Sequence, residues 1–158
     1  MLIQKNKAGE LEIKTKQATV VVDQKITVNE VELEGSGEYE IGEVAVQGID
    51  DYIYIFQVEE ITLGLVDFKQ KISKENLEKL SSCGVLVVRL DGDVQEAVTQ
   101  AGRIEPNVII YAGADKTAEK LKSSGVAVRE SESIKLNKAD VESEQKPYFI
   151  EVTNGADA

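Results

Sequence analysis

The sequence predicts an α/β (α+β layered) domain, with sheets that carry helices on at least one face. Two observations support this. Residues 11–66 form short runs with apolar and polar residues alternating, separated by polar or glycine-containing turns. After residue 72 the apolar spacing becomes helical and is interrupted by fully apolar runs at 85–88 and 108–111. The close spacing of the first runs, mostly joined as hairpins, implies an antiparallel or mixed sheet.

In chain order, Leu11 and Ile13 alternate with Glu12 and Lys14, and the apolar run 19–22 ends at Asp23. Ile26/Val28 and Val31/Leu33 flank Asn29-Glu30, a hairpin turn. Gly35-Ser36-Gly37 breaks the pattern. Tyr39/Ile41 and Val44/Val46 then flank Gly42-Glu43, a second hairpin. Asp50-Asp51 precedes a strand over 52–56, and Glu59-Glu60 turns the chain into 61–66.

The second half opens with Ser73 as a helix cap, Ile72 and Leu77 as a hydrophobic staple, and Leu80 continuing the face. Gly84 stands where a terminating glycine belongs, and 85–88 reads as a central strand. Asp93 and Glu96 have capping-box spacing. Val94, Ala97, Val98 and Ala101 form one stripe, which Gly102 is expected to stop. A strand over 108–111 and a helix over 116–124 follow, with Ala118 and Leu121 inward and Gly125 at the end. A short strand is expected at 126–128. Residues 134–136 and 148–152 are expected to close the fold as a pair, joined by a polar segment.

At 158 residues, 42% apolar and 30% charged, the chain fits a single domain over 1–153 with a disordered tail at 154–158. It has no apolar stretch of membrane-spanning length, no apolar leader and a single cysteine, which places it in the cytoplasm by default. The net charge of −11 and only three scattered arginines, Arg89, Arg103 and Arg129, argue against nucleic-acid and anionic-membrane partners.

Several segments, in order, resemble the small bacterial metallo-β-lactamase-fold proteins known as predicted zinc-dependent hydrolases. The family's early strand ends in Asp-Pro, here Val22-Asp23-Gln24. Its Gly-Pro-Gly-Glu-Tyr-Glu segment is matched by Gly35-Ser36-Gly37-Glu38-Tyr39-Glu40, and its Leu-Gly-Asp turn by Leu65-Val66-Asp67. A helix and an apolar strand follow, here 74–80 and 85–88. Glu105-Pro106 then leads into the run 108–111. The resemblance covers most of the chain and implies a reduced metallo-β-lactamase-like sheet sandwich flanked by helices.

The resemblance also implies a metal centre built on His-x-His-x-Asp-His after the Asp-Pro strand, with further histidines near the Leu-Gly-Asp turn and after the later strand. This chain has no histidine. Residues 24–34 leave no room for the motif, and Gly64, Gln70 and Ala112-Gly113 stand at the other positions. Asp67 is the one position retained as a former bridging ligand, and Asp67, Asp23 and Asp91 are the remnant ligand candidates. One cysteine and such aspartates do not build a zinc centre. A carboxylate-only site at Asp67, helped by Glu38, Glu40, Asp23 or Asp91, would suit Mg²⁺, Ca²⁺ or Mn²⁺ instead. Against that stands an Asp67 that is solvated or caps the helix it precedes.

Other chemistry is poorly supplied. Glu38 and Glu40 share one face of a strand and read as a solvent-facing edge. Cys83 has no histidine base and reads as a semi-buried structural thiol, and Gly35-x-Gly37 lacks a following helix and reads as a turn. The resulting expectation is a non-catalytic relative of the fold, with no cofactor, acting as a binding or assembly module through a protein partner or self-association. Removing an element should leave apolar surface or a strand edge to be covered. The rivals are a hydrolase with a carboxylate-only metal site, and a site completed by a partner chain.

Overall fold

The computed structural model describes residues 1–50, 52–69 and 71–153, so Asp51, Gln70 and the tail at 154–158 lie outside the described residues. The first strands are β1 (Leu2–Lys5), β2 (Leu11–Lys14), β3 (Thr19–Val22), β4 (Ile26–Val28) and β5 (Val31–Glu32). They are followed by β6 (Gly37–Ile41), β7 (Val44–Asp50), β8 (Ile53–Val58) and β9 (Ile61–Asp67). Helix α1 (Lys74–Leu80), β10 (Val85–Leu90), α2 (Val94–Ile104), β11 (Val108–Gly113) and α3 (Asp115–Ser123) come next. The chain ends with β12 (Arg129–Glu130), β13 (Ser133–Lys135) and β14 (Tyr148–Glu151).

These elements build two sheets and three helices, the mixed α/β class that the sequence predicts. The first sheet has the order β13-β1-β2-β3-β4-β5, and every pairing is antiparallel. The second has the order β12-β14-β11-β10-β9-β8-β7-β6. It is antiparallel from β6 to β9 and parallel from β9 through β12.

Alternation puts Ile3, Leu11, Ile13, Val20 and Val28 of the first sheet into one apolar cluster with Val46, Phe56, Leu63, Val87 and Ile110 of the second. The second sheet's other face carries Val66, Leu86, Val88 and Phe149. These pack with Leu80, Ala97, Ala101 and Leu121 of the helices. The central strand β10 is buried on both faces over its apolar run 85–88, as a parallel strand between layers should be. Among the described residues no helix is long and apolar enough to cross a membrane.

Three two-residue hairpins use left-handed backbone at both turn positions: Asn29-Glu30, Gly42-Glu43 and Glu59-Glu60. That geometry matches strand twist and is costly for glutamate. At Glu59 the side chain offsets the cost, accepting hydrogen bonds from Lys16 N at 3.0 Å and the Met1 amine at 3.0 Å. Ser73 caps α1 by accepting from Asn76 N, and Asp93 caps α2 by accepting from Glu96 N.

Several boundaries differ from the sequence reading. Gly102 does not stop α2, which runs on to Ile104 and ends at left-handed Glu105 before Pro106. A side chain at 102 would meet nothing, so that glycine imposes only its propensity cost. Gly84 is not a left-handed cap. Ser81 ends α1, and Gly84 bonds to Thr62 and Val108 at the entry to β10. Residues 126–128 form no strand, because the pairing with β14 falls on Arg129–Glu130. The two closing segments do not pair with each other. β13 joins β1 in one sheet, and β14 lies beside β11 in the other. Strand β1 lies in a segment the sequence reading left unassigned.

Of the two features expected, apolar surface or an open strand edge, the described residues leave little of the first. The outer face of the first sheet carries Gln4, Glu12, Lys14, Thr19 and Thr27 with only Leu2 and Val21 between them. Among the described residues, Val31 is the large apolar side chain left exposed. What the fold leaves open is strand edge.

Candidate functional site at the ends of the central strands

In β9, Ile61, Leu63 and Leu65 point between the sheets, and the two-residue period sends Asp67 the same way. In β10, Val85 and Val87 do the same and bring Arg89 to that side, in register with Asp67. The strands are parallel, so both C-terminal ends open at one edge, where α/β sheets commonly hold ligands.

Asp67 is 4% exposed, and its backbone N–H donates to Tyr52 O at 2.9 Å. It is neither solvated nor a helix cap, which corrects the sequence expectation: the cap is Ser73, six residues on. The Lys69 ammonium stands 3.8 Å from the Asp67 carboxylate and 3.5 Å from that of Asp91, and lies 5.7 Å from the centre of the Tyr52 ring. Lys69 therefore contacts both carboxylates, with Arg89 beside them.

Burial pushes the Asp67 carboxyl up to about 7, reinforced by the hydrogen bond and charge of Asp91; Lys69 and Arg89 pull it down. Asp67 Oδ2 is buried and has no hydrogen-bond partner among the described residues. Lys69 approaches it at ion-pair distance only. A proton shared by Asp67 and Asp91 would relieve their like-charge contact, which two ionised carboxylates cannot do.

Asp23 reaches the same edge from the other sheet. It lines a recess of about 10 Å³ with Arg89, Asp91, Ala112, Val152 and Thr153. The structure thus brings Asp67, Asp91 and Asp23 to one rim. Glu38 and Glu40 do not join them, since β7 and β8 separate β6 from β9. The recess is far below the hundreds of cubic ångströms that substrate pockets occupy.

The donor set does not fit a zinc centre. Among the described residues no three of His, Cys, Asp and Glu lie close enough to hold a metal ion. Any cation entering beside Asp67 would also have to displace the Lys69 ammonium. At Gly64, one implied histidine position, even a Cβ would come within 3.0 Å of Cys83 Sγ and of Leu80 Cδ2. Gln70, another, lies outside the described residues. Cys83 is fully buried rather than half-buried, and burial raises its thiol to about 11, so it supplies no thiolate.

Sequence reasoning missed two participants in the site. Arg89 shares the parity of Val85 and Val87, and extending that alternation would have placed it beside Asp67. Lys69 carries no such signal, because it follows the end of β9. Gln100 was also missed. It is fully buried on α2, accepts from Ile72 N at 2.9 Å and donates to Glu96 at 3.2 Å, which holds the β9–α1 connection in place.

Compared with protein-family models, with curated proteins and with solved structures, the chain gives no match.

Proposed function

We propose that the chain is a non-catalytic binding or assembly module on a reduced metallo-β-lactamase-like framework. The observation that carries this reading is Lys69, whose ammonium contacts both Asp67 and Asp91, at 3.8 and 3.5 Å. Where the resemblance implies a metal ligand, this chain supplies its own counter-charge. The framework supports the reading in outline: two sheets meet face to face through one apolar cluster, and helices back the second sheet. The Asp23–Asp91 recess, with room for about one water molecule, leaves no place for a substrate.

A second reading, a hydrolase with a carboxylate-only Mg²⁺ or Mn²⁺ site, is favoured by one observation. Asp67 Oδ2 is a buried acceptor without a hydrogen-bond donor among the described residues, beside a second carboxylate. A hydrolase screen with p-nitrophenyl esters and bis-p-nitrophenyl phosphate, with and without Mn²⁺, separates the two. The module reading expects rates equal to buffer for the wild type and Asp67→Ala alike. Turnover that Asp67→Ala abolishes would establish the rival.

A further inference from the structure

The net charge is confined to one stretch of the chain. Residues 26–68 hold eleven of the 29 acidic residues and none of the 18 basic ones, so the rest of the chain balances to zero. Within it, Glu34, Glu38, Glu40 and Glu43 are exposed on or beside β6, and none forms an ion pair among the described residues.

Strand β6 is also an open edge. It pairs with β7 alone, and at five residues it is the longest of the four edge strands. Its register puts Glu38 opposite Gln47 and Glu40 opposite Ala45, with Ile55 and Gln57 next on the same face. A groove of about 450 Å³ lies over these residues. Tyr39 and Ile41 point the other way, against the inter-sheet core, and anchor the strand.

We propose that the β6 edge docks an extended, lysine- or arginine-bearing segment of a partner polypeptide, which adds to the eight-stranded sheet as a further strand. This rests on the module reading above and names the partner's chemistry. Strand addition uses the backbone groups that β6 leaves unpaired. Cations at alternate positions of the incoming strand fall on the same face as Glu38 and Glu40. A second copy of this chain is a poor occupant. Pairing β6 with β6 sets Glu38 and Glu40 against the same carboxylates, and like charges across a ladder are destabilising.

The test uses the isotope-labelled full chain with a Lys-Val-Lys-Val-Lys-Val peptide and its Glu-Val counterpart, read by fluorescence anisotropy and amide hydrogen exchange. The Lys-Val peptide should bind and protect amides of Gly37–Ile41, and the Glu-Val peptide should not bind. The exposed double variant E38Q/E40Q should weaken binding about tenfold, as should raising salt from about 0.05 to 0.5 M. Protection at another edge, indifference to E38Q/E40Q, equal binding of both peptides, or no binding would overturn the proposal. So would self-association that protects β6 without peptide. Sedimentation and the phosphodiester screen on the same samples keep two failures apart. A chain that self-associates through another surface without binding peptide loses this docking edge and keeps the module reading. A monodisperse monomer that hydrolyses the phosphodiester loses both.

Discussion

The Lys69 ammonium stands 3.5 Å from the Asp91 carboxylate, and the same ammonium reaches Asp67 at 3.8 Å. One flexible cation thus serves a buried carboxyl on β9 and the residue that leaves β10. The pair of aspartates has opposite pulls on it: burial and mutual repulsion favour a proton on Asp67, and Lys69 with Arg89 favour its loss.

That balance makes stability depend on pH. The Asp67 carboxyl ionises near 7 in the fold and near 4 in the unfolded chain, so the fold binds the extra proton between those values. Its contribution is intact below about pH 4 and is lost as pH rises through about 7. The loss is on the order of a few kcal/mol. Asp67→Asn should therefore raise the thermal midpoint at pH 8 and leave it nearly unchanged at pH 5. A midpoint lowered at pH 8 would mean that the ionised carboxylate is the stabilised form.

Lys69→Met removes the counter-charge and leaves Asp91 beside Asp67. At pH 8 it should destabilise by about 1 kcal/mol, and at pH 5 by less, because Asp67 is then neutral. Combined with Asp67→Asn, most of the pH 8 effect should vanish in a urea-denaturation cycle. Strict additivity would show that Lys69 does not act on Asp67.

Gln100 is fully buried on α2 with both amide groups bonded. Gln100→Ala leaves the Ile72 N–H without its acceptor and should cost about 1–3 kcal/mol in urea denaturation. Replacing exposed Gln95 on the same helix should cost under about 0.5 kcal/mol.

Gly64 tests how closely α1 meets the second sheet. A methyl group there meets Cys83 Sγ and Leu80 Cδ2 at 3.0 Å and Leu86 Cδ1 at 3.2 Å. Gly64→Ala should cost about 1–3 kcal/mol through overpacking. Adding Cys83→Ala should recover part of that loss, since the sulfur is one of the atoms in the way.

How far these features could be read from sequence followed their range. Ser73, Asp93 and the turn at Gly42-Glu43 were legible because caps and two-residue turns are decided by neighbours a few residues away. Residues 126–128 and 134–136 have similar apolar character, yet only the second segment enters a strand. Remote partners decide this: Ile3 pairs with Ile134, and β14 pairs with Arg129–Glu130 instead of 126–128. For the same reason Asp67 was recognisable as a candidate and its setting was not. Its parity with Ile61, Leu63 and Leu65 is local, but Arg89 in register and Asp91 alongside come from the remote strand β10. Gly102 misled because a glycine with open space around it is tolerated inside a helix at modest cost.

The central claim is that Lys69, and not a metal ion, balances the carboxylates at the end of the parallel strands. Elemental analysis of protein purified without chelator tests it most directly. The account predicts no stoichiometric zinc, magnesium or manganese in the wild type. One equivalent of metal that disappears in Asp67→Ala would contradict it.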